Sequence, residues 1–165
     1  MRVLLTGGIK SGKSRRALVL AQNYGPGKVF IATAEAMDDE MRERIKRHKE
    51  ERASLGFITV EEPVDIDRII AEHGTSQCIL DCIPMWLNNL FFAGREAEWP
   101  QILERFMLAM PRDIIIVSNE TGMGVIPADA MSRRYGIALG TINSMLAAAA
   151  DSVELLVSGI PLRLK

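Results

Sequence analysis

The chain has 165 residues, 48% of them hydrophobic and 25% charged, with 20 basic against 21 acidic side chains and a formal net charge of -1. This length suits a single domain over residues 1–165, since a chain of this size buries roughly 70% of its unfolded surface around one core. Balanced charge excludes a bulk pull toward nucleic acid or anionic lipid, and the short apolar runs argue against membrane insertion.

The chain opens on Arg2-Val3-Leu4-Leu5-Thr6, a strand pattern without a basic leader, so a cytoplasmic location is expected. Further strands are predicted near 28–32, 57–60, 77–81, 113–118 and 152–158, and helices near 13–23, 37–53, 64–73, 84–93, 97–109 and 128–149. Turn signals fall at Gly25-Pro26-Gly27, His73-Gly74, Trp99-Pro100 and Gly159-Ile160-Pro161. This alternation predicts an α/β fold with a mostly parallel central sheet flanked by helices. Leu162-Arg163-Leu164-Lys165, alternately apolar and basic, is expected to return as an antiparallel edge strand.

Between the first strand and the first helix lies Gly7-Gly8-Ile9-Lys10-Ser11-Gly12-Lys13-Ser14, a match to GxxxxGK[ST] in the setting that motif requires. Glycines let backbone N–H groups curl around phosphate oxygens, Lys13 offers a charge to the β and γ phosphates, and the Ser14 hydroxyl is placed to ligate Mg²⁺. The motif predicts a nucleoside triphosphate, GTP or ATP, and names no reaction, because kinases, ATPases, switches and motors share it. Asp81 closes the apolar run Gln77-Cys78-Ile79-Leu80, where an unpaired buried carboxylate is costly. It is expected either to hold Mg²⁺ with Ser14 or to cap the next helix. Cys78 and Cys82 lack a neighbouring histidine and read as packed thiols.

His73, at a helix end before Gly74, is assigned no chemistry. His48 continues a helical stripe of Met37, Met41 and Ile45, with Arg44, Lys46, Arg47, Lys49 and Arg52 around it. A hydrogen-bonded core imidazole and a phosphate-handling one both fit that position. In the second case a neutral imidazole is a competent nucleophile toward phosphorus, and nearby cations stabilise departing pyrophosphate, which is nucleotidyl-transfer chemistry. Asn119-Glu120-Thr121-Gly122-Met123-Gly124 follows the strand Ile114-Ile115-Ile116-Val117, at the edge where open α/β sheets bind ligands. Glu120 is a secondary candidate for positioning a hydroxyl or a metal-bound water, against a plain Gly-rich connection.

Further segments add to these: Ile31-Ala32-Thr33-Ala34, Asp38-Asp39-Glu40-Met41, Glu61-Glu62-Pro63, Trp86-Leu87 with Asn89-Leu90, Ser118-Asn119-Glu120, Pro127, and Asn143 with Ala147 to Asp151. Together with the loop and His48-Lys49, they resemble the bifunctional adenosylcobinamide kinase/adenosylcobinamide-phosphate guanylyltransferase family of cobalamin biosynthesis over essentially the whole chain. The resemblance implies a RecA-like P-loop NTPase fold and two reactions. The corrinoid hydroxyl is phosphorylated with ATP or GTP, then GMP passes from GTP to that phosphate through a GMP-histidine intermediate at His48. It also implies nucleotide contacts from the loop, from Ala32, Thr33 and Ala34, from Lys49, Glu50, Glu51 and Arg52, from Glu61 or Glu62, and from Asp81. Mg²⁺ at Ser14 and Asp81 and a homo-oligomer, a trimer, complete the expectation.

Overall fold

Short, continuously apolar runs form strands that are covered on both faces, as parallel sheets require. The computed structural model describes residues 1–35, 39–73, 76–124 and 126–165, and only the backbone of Glu40, Met41, Arg44 and Glu51. Seven strands, β1 (Arg2–Gly7), β2 (Val29–Ala32), β3 (Ile58–Glu61), β4 (Cys78–Asp81), β5 (Ile114–Val117), β6 (Ser152–Val157) and β7 (Ile160–Arg163), form one sheet. Their order is β3-β2-β4-β5-β1-β6-β7. All neighbours pair in parallel except β6 and β7, which form the expected antiparallel edge.

Alternate strand residues point to opposite faces and build two cores. Leu4, Ile31, Leu80 and Ile116 pack with side chains of α3 (Ile66–Glu72), α4 (Ile83–Phe92), α5 (Trp99–Ala109) and α6 (Ala130–Ala149). On the other face Val3, Leu5, Phe30, Ile79 and Ile115 pack with Ala17 of α1 (Lys13–Leu20) and with Phe57. The remaining helix, α2 (Asp39–Ser54), precedes β3; the start expected at Met37 lies outside the described residues.

Two prolines expected in turns belong to regular elements instead. Trp99-Pro100 opens α5, since a proline in the first helical turn removes only an N–H that has no intrahelical partner. Pro161 lies in β7, where an edge strand tolerates the missing donor. That strand therefore starts at Ile160, two residues before the basic alternation that predicted it.

Candidate functional site

Because six strands run parallel, their C-terminal ends share one edge of the sheet. The register sets Ala32 level with Asp81 and Glu61, and Asp81 level with Val117, which pairs in turn with Leu5. The register therefore places Asp81, Ala32 and Glu61 along the same edge of the sheet as the phosphate loop, at two, three and four strands from β1.

The loop is held by its backbone. Gly7 sits at φ 143°, where a Cβ would collide with the Leu156 carbonyl oxygen on β6, and Gly12 sits at φ 95° against Gly159. Ser11 N–H donates to Gly8 O at 3.3 Å, and Gly159 N–H at the β6–β7 turn donates to Ser11 O at 3.1 Å. From α1, Arg16 makes a bidentate pair with Glu154 of β6, both bonds 2.8 Å. Sequence reasoning missed this brace, because no local pattern links residues 138 apart. Lys13 is buried, and its ammonium donates to Gly7 O at 3.1 Å, Gly8 O at 2.6 Å and Ser11 Oγ at 3.4 Å. Burial lowers its pKa, against the opposing influence of Cys82 and Asp81.

Asp81 is half-buried at the end of β4. Desolvation raises its pKa, and the neighbouring Ser14 hydroxyl, Arg52, Lys13 and His48 pull the other way. The helix cap that Asp81 could have supplied falls to Cys82 instead. Cys82 N–H donates to Thr33 Oγ1 at 2.9 Å, and that hydroxyl donates to Cys82 O at 2.8 Å, tying the ends of β2 and β4 together. Asn89 from α4 adds a donor to Thr33 O at 2.8 Å. Both cysteines are free thiols; burial pushes Cys82 up to about 12 and Cys78 to about 11, far from a metal-ligating thiolate.

The half-buried His48 comes from α2, whose position is set by polar contacts. Arg52 is buried, its guanidinium 4.1 Å from the centre of the Phe30 ring, and Lys49 bridges to Glu61 at 2.9 Å. Glu50 is exposed, and the Glu51 side chain lies outside the described residues. The two neighbouring glutamates differ in setting. Glu62 is buried and accepts from Val64 N and Asp65 N at 3.0 and 2.8 Å and from Arg68 at 3.1 Å, so its carboxylate is occupied at the start of α3. Glu61 is exposed beside α2. Ala32 is buried, Ala34 is half-buried, and Ile9 and Lys10 are exposed on the loop. His73 ends α3, away from this edge, as the C-cap residue.

The sheet order and the loop define a RecA-like P-loop nucleotide-binding protein. In agreement, the crystal structure of the RadB recombinase aligns with 93% of this chain and 73% of its own at a TM-score of 0.54 and 14% identity, a likeness of fold alone. The family model for cobinamide kinase / cobinamide phosphate guanyltransferase matches residues 3–164, and the chain belongs to that family. It is 39% identical to the bifunctional adenosylcobalamin biosynthesis protein CobP of Pseudomonas aeruginosa, covering 100% of this chain and 98% of the relative. It is 37% identical to the bifunctional adenosylcobalamin biosynthesis protein CobU of Salmonella typhimurium, with 100% of both chains covered.

Proposed function

We propose that this single-domain chain phosphorylates the hydroxyl of adenosylcobinamide and then transfers GMP from GTP to that phosphate through a GMP–His48 intermediate. Both activities are those of the family to which it belongs. The observation that carries the histidine step is the placement of α2: Lys49 bridges to Glu61 at the end of β3 and Arg52 stacks on Phe30 of β2, so the helix bearing half-buried His48 is pinned to the strands beside β4 and Asp81.

In this reading a triphosphate lies along Gly7 to Ser14, with Lys13 exchanging its carbonyl partners for phosphate oxygens. An imidazole nitrogen of His48 bonds to the α phosphorus while the α–β bridging bond breaks and pyrophosphate leaves. An oxygen of the corrinoid phosphate then displaces the imidazole. Lys49 and Arg52 offset the charge of the departing group, and Glu61 is better placed than Glu62 to meet the nucleotide, because Glu62 is committed to α3. The Ser14–Asp81 pair fits Mg²⁺, since a hydroxyl and a carboxylate already in contact are the oxygen donors such an ion takes beside phosphate oxygens. When bound, Mg²⁺ neutralises triphosphate charge.

We further infer a cytoplasmic enzyme without a nucleic-acid partner; among the described residues no helix is long and apolar enough to cross a membrane. Exposed Phe92, Met131 and Ile137 on α4 and α6 support a homo-oligomer, as the trimer of the resemblance implies. The test is incubation with GTP labelled at the α phosphorus. Acid-labile, base-stable label is expected on the protein and not on His48→Ala; an unlabelled wild-type protein overturns the histidine step.

A further inference from the structure

The two reactions place unequal demands on proton chemistry. In guanylyl transfer the attacking groups are a neutral imidazole and then a phosphate oxyanion, and neither has to lose a proton to attack. In phosphorylation the attacking group is an alcohol, whose proton must go to a base as the O–P bond forms.

Several carboxylates stand at or near the loop edge among the described residues, and most are engaged. Asp81 stands beside Ser14, Arg52 and Lys13, Glu61 pairs with Lys49, Glu62 holds the start of α3, and Glu154 pairs with Arg16. Glu35 is exposed after β2, three strands away from β1. Glu120 differs from all of these. It follows β5, the strand lying between β1 and β4, and its backbone N–H donates to Gly7 O at 3.1 Å, which fixes it beside the first residue of the loop. The segment is anchored from below: Ser118 N–H donates to Leu5 O at 2.8 Å, buried Ser118 Oγ donates to Asn143 Oδ1 at 2.6 Å, and Asn143 Nδ2 donates to Asn119 O at 2.9 Å. The half-buried Glu120 carboxylate lies over Gly122, 3.6 Å from where a Cβ on that residue would stand. Among the described residues it has no ion pair or side-chain hydrogen bond.

We propose that Glu120 is the general base of the kinase step and takes no part in guanylyl transfer, an inference that rests on the two-reaction reading above. The acceptor hydroxyl oxygen bonds to the γ phosphorus, the bond from that phosphorus to the β–γ bridging oxygen breaks, and the electron pair leaves with the nucleoside diphosphate. The hydroxyl proton passes to the Glu120 carboxylate. Glu120→Gln keeps the shape and removes the base.

The experiment measures both reactions separately, supplying adenosylcobinamide for the first and adenosylcobinamide phosphate for the second. For Glu120→Gln the kinase kcat is expected to fall about 10²-fold or more with KM for both substrates nearly unchanged, while guanylyl transfer stays at the wild-type rate. An equal fall in both reactions would make Glu120 a loop-positioning residue, and an unchanged kinase kcat would show it idle; either overturns the assignment. Should Glu120→Gln fail to fold, Glu120→Asp, which retracts the carboxylate, reads the same split. If the wild-type protein itself catalyses neither reaction, the two-reaction reading has failed, and that outcome is distinct from wild-type activity with an indifferent Glu120→Gln.

Discussion

From Gly7 to Ser14 the chain is held by its own backbone, with glycines at φ 143° and 95°, loop carbonyls bonded to Lys13, and a turn of the β6–β7 hairpin donating into the loop. The helix α2, which carries His48, is held otherwise. Of its described side chains only Arg52 is buried, stacked on Phe30, and Lys49 reaches Glu61 across solvent. Backbone packing of the first kind gives a phosphate cradle whose shape is set before any ligand arrives. The second kind makes the position of the imidazole depend on charge. A lesion in the loop is therefore expected to act on whatever chemistry the triphosphate undergoes, and a lesion in α2 on guanylyl transfer alone.

The sharpest way to break that contrast is to compare His48→Ala with Lys13→Ala in both assays. Removing the imidazole is expected to lower guanylyl transfer by about 10⁴-fold or more and to leave phosphorylation near the wild-type rate. Removing the loop ammonium is expected to lower both by about 10²–10³-fold, since either transfer develops charge on the same phosphates. If His48→Ala slowed phosphorylation as much as guanylyl transfer, α2 would be part of the cradle and the division between the two regions would be wrong.

The loop was legible in the sequence because its function needs particular residues in contiguous order: glycines where the backbone turns left-handed, then Lys13 and Ser14 at the head of a helix. The sheet was legible because strands buried on both faces are uniformly apolar, as Ile114-Ile115-Ile116-Val117 shows. Other features depend on contacts between distant segments, and those were not visible. Arg16 and Glu154 are ordinary charges until β6 lies beside β1. Glu61 and Glu62 are adjacent and chemically identical, and only the fold shows that one carboxylate is spent on the N–H groups of Val64 and Asp65. Trp99-Pro100 misled because proline signals a turn and a first helical turn equally well.

Stability measurements extend the comparison to the loop itself. Gly7→Ala puts a methyl group onto the Leu156 carbonyl at a φ that side chains rarely adopt, and it is expected to cost about 3 kcal/mol in urea unfolding. A truncation on the exposed face of α2, Lys46→Ala, is expected to change stability by less than about 0.5 kcal/mol. A small loss at Gly7 would mean that the loop relaxes and that its left-handed geometry is not imposed by β6.

A smaller effect than at Gly7 belongs to the brace between α1 and β6. Arg16 holds the Glu154 carboxyl below the usual glutamate range, chiefly through the bidentate hydrogen bonds, so the folded protein binds that proton less readily than the unfolded chain. A depressed carboxylate stabilises above its unfolded pKa, and the contribution is lost as pH falls through the folded value. Glu154→Gln is expected to cost about 1 kcal/mol at pH 7, with a gap from wild type that stays level down to about pH 5 and closes in acid below about pH 4. The measurement is urea unfolding of both proteins across that range. Because the brace carries charge while the rest of the loop is fixed by backbone, a gap that persisted undiminished in acid would assign the Glu154 contribution to packing. The Lys13 ammonium on the Gly7 and Gly8 carbonyls would then be the charged contact left to the loop, and its contrast with α2 would sharpen.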